Sequence, residues 1–217
     1  MWHFRCKLPC MRHFLLLVSI GAAFAQSITI GVTGGGRVTD DMSGWATSES
    51  KRYVVGPAFG LGLPLGFGVE ADALYRRDGY RSLWGNWAGT SFDRARVNSW
   101  EFPMLLTYRI PVPAVKPFAE VGYAPRVGSG TSDSNLLVLF PTQSYQQLHS
   151  SAAWQTSYGL VVGGGVRFGL GRLRLSPQVR YTHWNNAAVS GYYSDGPSYQ
   201  STQNQVDVLL GIGWKMR

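Results

Sequence analysis

Ionisable residues recur at alternate positions within otherwise apolar or glycine-rich segments of this chain. They are Glu70, Asp72 and Arg76; Glu101 and Arg109; Glu120 and Arg126; Arg167; Arg174 and Arg180; and Asp207. Side chains two apart in a strand share one face, so each group points the same way as its segment-mates. Five acids against six arginines can form a packed ion-pair network that satisfies buried charge. The same set, if hydrated, could instead carry protons or ions.

Two further groups carry chemistry. The stretch "RSLWGNWAGTSFDRARVN" mixes Arg81, Arg94 and Arg96 with Trp84 and Trp87. Arginine forks pair with phosphate or carboxylate, and indole rings stack on sugars, so these five residues are a candidate anion or glycan site. Beyond the first 25 residues the histidines are His149 and His183. His183 has no acid beside it in its own segment, and two distant histidines do not make a metal site. No metal and no cofactor is expected.

The elements that must position these groups are strands. The chain has 217 residues, of which only 15% are charged and 27 are glycine. That balance suits an all-β chain with tight turns. No apolar run approaches the roughly 18 residues of a spanning helix. Residues 1–25 read as a secretory signal, with Arg5, Lys7 and Arg12 ahead of "FLLLVSI" and a cleavage site at Ala23-Phe24-Ala25; Met11 is an alternative start. Cleavage leaves 26–217 as one barrel domain and removes both cysteines, Cys6 and Cys10, so no disulfide is expected. The remaining charge excess is modest and no basic run points to nucleic acid.

Eight alternating segments follow, near 27–33, 53–63, 67–80, 100–109, 115–127, 158–168, 173–184 and 205–214. Short connections ("PLG", "IPVPA", "GLG") alternate with long polar ones near 34–52, 81–99, 128–157 and 185–204. Short periplasmic turns and long extracellular loops are the pattern of an up-and-down, eight-stranded antiparallel transmembrane β-barrel. Tyr53, Tyr75, Trp100, Tyr123, Tyr158 and Tyr181 fall on the apolar face at the long-loop ends; Phe67, Tyr108, Phe168 and Trp214 fall on it at the other ends. Two aromatic girdles around an aliphatic band mark a membrane-facing surface. An eight-stranded interior only just accommodates side chains, so the charged face belongs inside, where a plug is favoured over a path.

The strand pair "WEFPMLLTYRIP" and "VKPFAEVGYAPRV" (residues 100–111 and 115–127) resembles the central pair of the PorT-like outer-membrane β-barrel domain family. That resemblance implies an eight-stranded outer-membrane barrel and implies no activity. One departure is the end of the chain, where Lys215-Met216-Arg217 follow Trp214 although many barrels end on the aromatic residue read by the barrel-assembly machinery.

The leading functional expectation is a bacterial outer-membrane barrel that is not an enzyme, with a lumen plugged by charge. Its partners would be outer-membrane lipid, the assembly machinery and an extracellular glycan or protein reached through the loops. A narrow porin-like channel, a lipid A-modifying enzyme and a secreted soluble barrel are the alternatives. Loop three carries the apolar "LLVLF" of Leu136 to Phe140, and loop four is rich in Tyr, Ser, Gly and Asn, the composition of adaptable contact surfaces.

Overall fold

Strict two-residue alternation over most of the chain leaves one arrangement able to bury the charged face, a sheet closed on itself. The computed structural model describes residues 27–44, 46–86, 89–110, 112, 115–139, 143–186, 190–191 and 199–216. The expected signal segment lies outside the described residues. Eight barrel strands follow in order: β1 (Ser27–Arg37), β2 (Tyr53–Gly62), β3 (Phe67–Asp72 and Leu74–Asn86), β4 (Gly89–Glu101 and Met104–Arg109), β5 (Lys116–Val138), β6 (Ser144–Leu170), β7 (Leu173–Trp184) and β8 (Asn204–Met216). Each pairs antiparallel with its neighbours in sequence. The ring closes where β1 pairs with β8, from Ile28 opposite Met216 to Arg37 opposite Asp207. No barrel strand keeps an open edge along its membrane-length segment, which removes the row of unpaired amides that an open sheet would expose.

Prolines interrupt the ladder without shifting its register. Ala73 donates to the Pro57 carbonyl at 3.0 Å and Asp72 to the Pro103 carbonyl at 3.1 Å. Neither proline has an N–H to return, so β3 and β4 each break for a residue or two at this level. Pairing resumes in the same register, with Ala71 opposite Met104 and Leu74 opposite Glu101. Gly56 lies beside this interruption, and a Cβ there would run into the Ala73 carbonyl oxygen. The turn between β2 and β3 is a single 3-10 turn, Pro64–Gly66, with Leu65 and Gly66 both at positive φ (59° and 86°).

The faces divide as the alternation requires. Ile30, Val32, Phe59, Met104, Leu106, Val121, Leu160, Val162, Val179, Val208, Leu210 and Ile212 are all exposed on the outer wall. Both expected aromatic girdles are on that wall: Tyr53, Tyr75, Trp100, Tyr123, Tyr158 and Tyr181 at one level, Phe67, Tyr108, Phe168 and Trp214 at the other. Ring contacts tie neighbouring strands together within them, Tyr75 to Trp100 at 5.4 Å, Tyr123 to Tyr158 at 5.6 Å and Phe67 to Tyr108 at 5.0 Å. The buried core is the lumen itself.

Two expected loops are not loops. The segment 81–99 continues β3 and β4 as a paired hairpin out to Asn86 and Gly89. The segment 128–157 continues β5 and β6, with Val138 opposite Ser144 and a one-residue register shift between Ala152 and Gln155. Because β4 also pairs with β5 up to Gly89 opposite Val138, four strands rise together as a tall wall on one side of the barrel. At about 3.3 Å per residue, the 23 residues of β5 extend well past the roughly 10 residues that cross a bilayer. Backbone pairing outweighs the polar, glycine-rich composition that reads as a loop. The first and last long connections meet instead in a small separate sheet, where Tyr199–Ser201 pairs with both Met42–Gly44 and Ser190–Gly191.

Substituting Gly56 by Val is expected to cost about 1–3 kcal/mol, the range for overpacking, as the Ala73 carbonyl is displaced. Urea unfolding of refolded protein measures this, with Gly34→Val as the control because a Cβ there meets only ordinary contacts at 3.6 Å or more.

Candidate functional site

The inward face of β3 presents, from the short-turn end upward, Glu70, Asp72, Leu74, Arg76 and Asp78. Strands β4 to β8 supply the counter-charges at matching heights, and the result is three separate clusters rather than one net. Lowest, Glu70 accepts from both Arg167 of β6 and Arg174 of β7. In the middle, Arg180 donates through Nη1 to Asp72 and through Nε to Glu120, each at 3.0 Å. Above, Arg76 donates through Nε to Glu101 at 3.2 Å and through Nη2 to Asp207 at 2.9 Å. All five acids are therefore paired across the interior.

Glycine makes the middle cluster possible. A Cβ on Gly163 would stand 2.6 Å from Glu120 Oε1, the atom that receives Arg180. Removing that carbon lets the carboxylate lie flat against the β6 wall.

Two arginines of the expected network stand apart from it. Arg109 sits at the mouth, half-buried, and donates to the Gly66 and Phe67 carbonyls at 3.4 and 2.8 Å, so it braces the short turn. Arg126 is buried but, among the described residues, no carboxylate forms an ion pair with it; it donates to Ser157 Oγ at 3.0 Å and lies 4.0 Å over the Trp184 ring. An aromatic face thus takes the place of an anion.

Parity alone could have found several lumen residues absent from that expected set. Trp184 shares the face of Arg180 and Thr182, and it is 1% exposed. Its Nε1 donates to Gln205, whose amide nitrogen donates to Asp207 at 2.6 Å. Phe118 is buried under Arg167, 4.1 Å from ring centre to guanidinium carbon. Higher still, Arg37 reaches Asp41 and Asp78 at 3.9 and 3.8 Å, forming a fourth charged group at the rim. Apolar side chains fill the gaps, Val54 with Leu74 and Leu209, and Leu105 with Ala124, Val161 and Trp184.

Two small open volumes lie in the interior. A cavity of about 40 Å³ lies toward the short-turn end, between Thr29, Thr33, Glu70, Asp72, Ser176 and Gln178. A second of about 20 Å³ lies near the rim beside Arg37, Asp78 and Arg126. The Arg76, Glu101 and Asp207 layer, with Gln205 and Trp184, stands between the two. At roughly 10–15 Å³ per water, these volumes hold a few molecules.

The candidate site of Arg81, Trp84, Trp87, Arg94 and Arg96 is not assembled as the sequence suggests. Trp87 lies outside the described residues. Arg81 and Arg94 face each other across the β3–β4 pair and point outward, as does Arg96 two residues on. Trp84 has the opposite parity, opposite Ser91, and faces the inner side of the hairpin. Glu49 reaches Arg94 at 2.7 Å and Arg81 at 3.9 Å from the segment leading into β2. Arg96 remains exposed.

The histidines sit on outer surfaces. His183 Nδ1 and the Tyr181 hydroxyl both contact Asn204 Oδ1 at 2.8 Å, so its neighbour at the rim is an amide. His149 Nδ1 donates to Asp133 on the tall hairpin at 2.5 Å. Among the described residues no group of three or more metal-ligating side chains comes together.

An eight-stranded closed ring with this lumen can be set beside known proteins. No protein-family model matches the chain, so the PorT-like family itself is not shown, and no curated protein matches it significantly. Among solved structures, the outer-membrane protein OprG from Pseudomonas aeruginosa is 15% identical, over 89% of this chain and 97% of that one, with a TM-score of 0.53. That likeness shows the fold. Neisserial surface protein A, at 15% identity over 88% and 97% of the two chains, gives a TM-score of 0.38. Ail of Yersinia pestis, at 13% over the same shares, also gives 0.38.

The clusters differ in what their loss should do. Arg76→Ala leaves Glu101 and Asp207 buried without a cation and is expected to cost about 3–5 kcal/mol. Arg109→Gln, at the wet mouth, is expected to cost under about 1 kcal/mol. Urea unfolding followed by tryptophan fluorescence measures both, and Arg76→Ala with Asp207→Asn should recover part of the loss.

Proposed function

We propose that this chain is an integral bacterial outer-membrane barrel without enzymatic activity. Its lumen is sealed by paired charge, and its rim and tall hairpins contact envelope lipid, glycan or protein. One observation carries this reading: a belt of exposed aliphatic side chains runs around the outer wall between two aromatic girdles, while the charges are inside. A soluble barrel reverses those faces, because water would penalise a continuous apolar belt far larger than the few hundred Å² that soluble proteins expose. In a bilayer the same belt is solvated by lipid, and the closed hydrogen-bonded ring satisfies every strand within it.

The fold it shares with OprG supports the placement, and so does the resemblance of the β4–β5 pair to PorT-like barrels. The three charged clusters favour a plug over a channel: each arginine bridges strands across the interior, and the Arg76 layer stands between the two cavities described above. For the enzymatic alternative, His183 has an amide neighbour where a hydrolytic site would need a carboxylate to orient the ring.

Cell fractionation with a gel of heated and unheated samples tests the placement. Recovery in the outer membrane as a heat-modifiable band is expected, and recovery as a soluble periplasmic or secreted protein would overturn it. Leu210→Arg, on the apolar belt, is expected to cost about 2–4 kcal/mol of folding free energy in vesicles. In a planar bilayer the unaltered protein is expected to give no discrete openings; regular openings abolished by changing Arg180 or Glu120 would favour the channel.

A further inference from the structure

The outward wall just above the upper girdle carries a cluster of cations that the lumen does not use. Tyr53, Tyr75 and Trp100 belong to the girdle on β2, β3 and β4. Two residues beyond Tyr75 stands Arg77, and four beyond Trp100, toward the rim, stands Arg96; both keep the outward parity of the girdle. Lys51 lies beside Arg77 in the segment leading into β2, its N–H donating to the Arg77 carbonyl at 2.9 Å. All three are exposed.

The spacing is fixed by the sheet. Neighbouring strands lie about 4.8 Å apart and a two-residue step rises about 6.6 Å, so the three cations fall within a patch on the order of 10–15 Å across. Arg81 and Arg94 continue the patch upward, where the carboxylate of Glu49 holds both. Asp133, opposite Arg94 in the register, is taken by His149. Among the described residues no acid forms an ion pair with Lys51, Arg77 or Arg96. The first row is tied to the girdle below it, because the Tyr75 hydroxyl donates to Asn98 at 2.9 Å and Asn98 pairs with Arg77.

We propose that Lys51, Arg77 and Arg96 bind the phosphate groups of lipid A in the surrounding outer leaflet. This rests on the outer-membrane reading above. Direction and depth select a lipid headgroup as the occupant. The cations point sideways into the leaflet, continuous with the lipid-facing wall, and begin one step past aromatic side chains that mark the hydrocarbon boundary. A bis-phosphorylated headgroup at that level meets an ammonium and two planar guanidinium forks, which bind phosphate oxygens in pairs. Glu49 keeps Arg81 and Arg94 extended above the site, so the patch stays cationic without collapsing on itself.

The test uses the full mature protein, refolded in detergent and shown to be heat-modifiable. Binding of fluorescent bis-phosphorylated lipid A is titrated against the unaltered protein and the Lys51→Gln, Arg77→Gln, Arg96→Gln triple variant. A loss of about ten-fold or more is expected, together with weakening of the unaltered protein between about 50 and 300 mM salt. Lipid A stripped of both phosphates should bind both proteins alike. A control pair at the other end of the barrel, Arg172→Gln with Lys215→Gln, should change binding less than about two-fold. Equal binding of bis-phosphorylated lipid A by the triple variant, or binding of the dephosphorylated lipid by the unaltered protein as tightly as of the bis-phosphorylated form, overturns the proposal. So does a result in which the variant loses a soluble heparin fragment but keeps lipid A, since the wall would then serve a glycan. Failure of the outer-membrane reading would show separately, as loss of heat modifiability and of membrane recovery in the unaltered protein.

Discussion

A charge placed inside an eight-stranded barrel has no room to keep its water, so it must meet its opposite across a space only wide enough for side chains. The three arginine-centred and glutamate-centred clusters are the consequence. Each joins strands that are distant around the ring: Arg76 on β3 to Asp207 on β8, Arg180 on β7 to Asp72 on β3, and Glu70 on β3 to Arg167 on β6. The wall hydrogen bonds fix each strand against its neighbours, and the clusters fix opposite walls against each other. Where no acid is available at the right height, as for Arg126, an indole face serves. Gly163 and the small residues of β1 and β2 exist on the inner face because the long side chains of the other strands need the volume.

The alternation around Trp100 to Arg109 was enough to read the fold, since a period of two sorts every residue of a strand to one face or the other. It put Glu101 inside and Trp100 outside before any partner was known. What the alternation lacks is distance between strands, so it named the lumen charges without saying that they divide into three clusters. Arg109 and Arg126 look like the other arginines in sequence and differ only by height and neighbour. Trp84 and Arg81 are neighbours along the chain and not in space. Their opposite parity, three residues apart, separates them by the thickness of the sheet.

The long connections were harder to read for a physical reason. Outside the bilayer both faces of a hairpin meet water, so hydrophobic alternation disappears while the backbone pairing persists. Residues 81–86, 89–99, 128–138 and 144–157 are rich in Ser, Thr, Gly and other polar residues and, outside the apolar run that starts at Leu136, carry no sustained apolar alternation, yet they form paired strands. Even so, their outward parity continues that of the membrane wall below. Arg96, which the sequence reads as part of a loop, therefore inherits a direction from the barrel, and like Arg77 within the strand it looks sideways because Tyr75 and Trp100 do.

The closing seam between β1 and β8 has a consequence for how the chain acquires its shape. Seven of the eight strand pairings join segments adjacent in sequence and can form hairpin by hairpin, five over short turns and two over the long first and last connections; the eighth must bring the two ends of the domain together. That last seam is poor in side chains, with Gly31 opposite Gly213 and with Gly35 so close to the Val208 and Leu209 backbone that no Cβ fits. On the inner face the final zipper thus closes backbone against backbone, with few side chains to clear. Assembly is sewn from one hairpin to the next and fastened once, along the line where the cloth is thinnest.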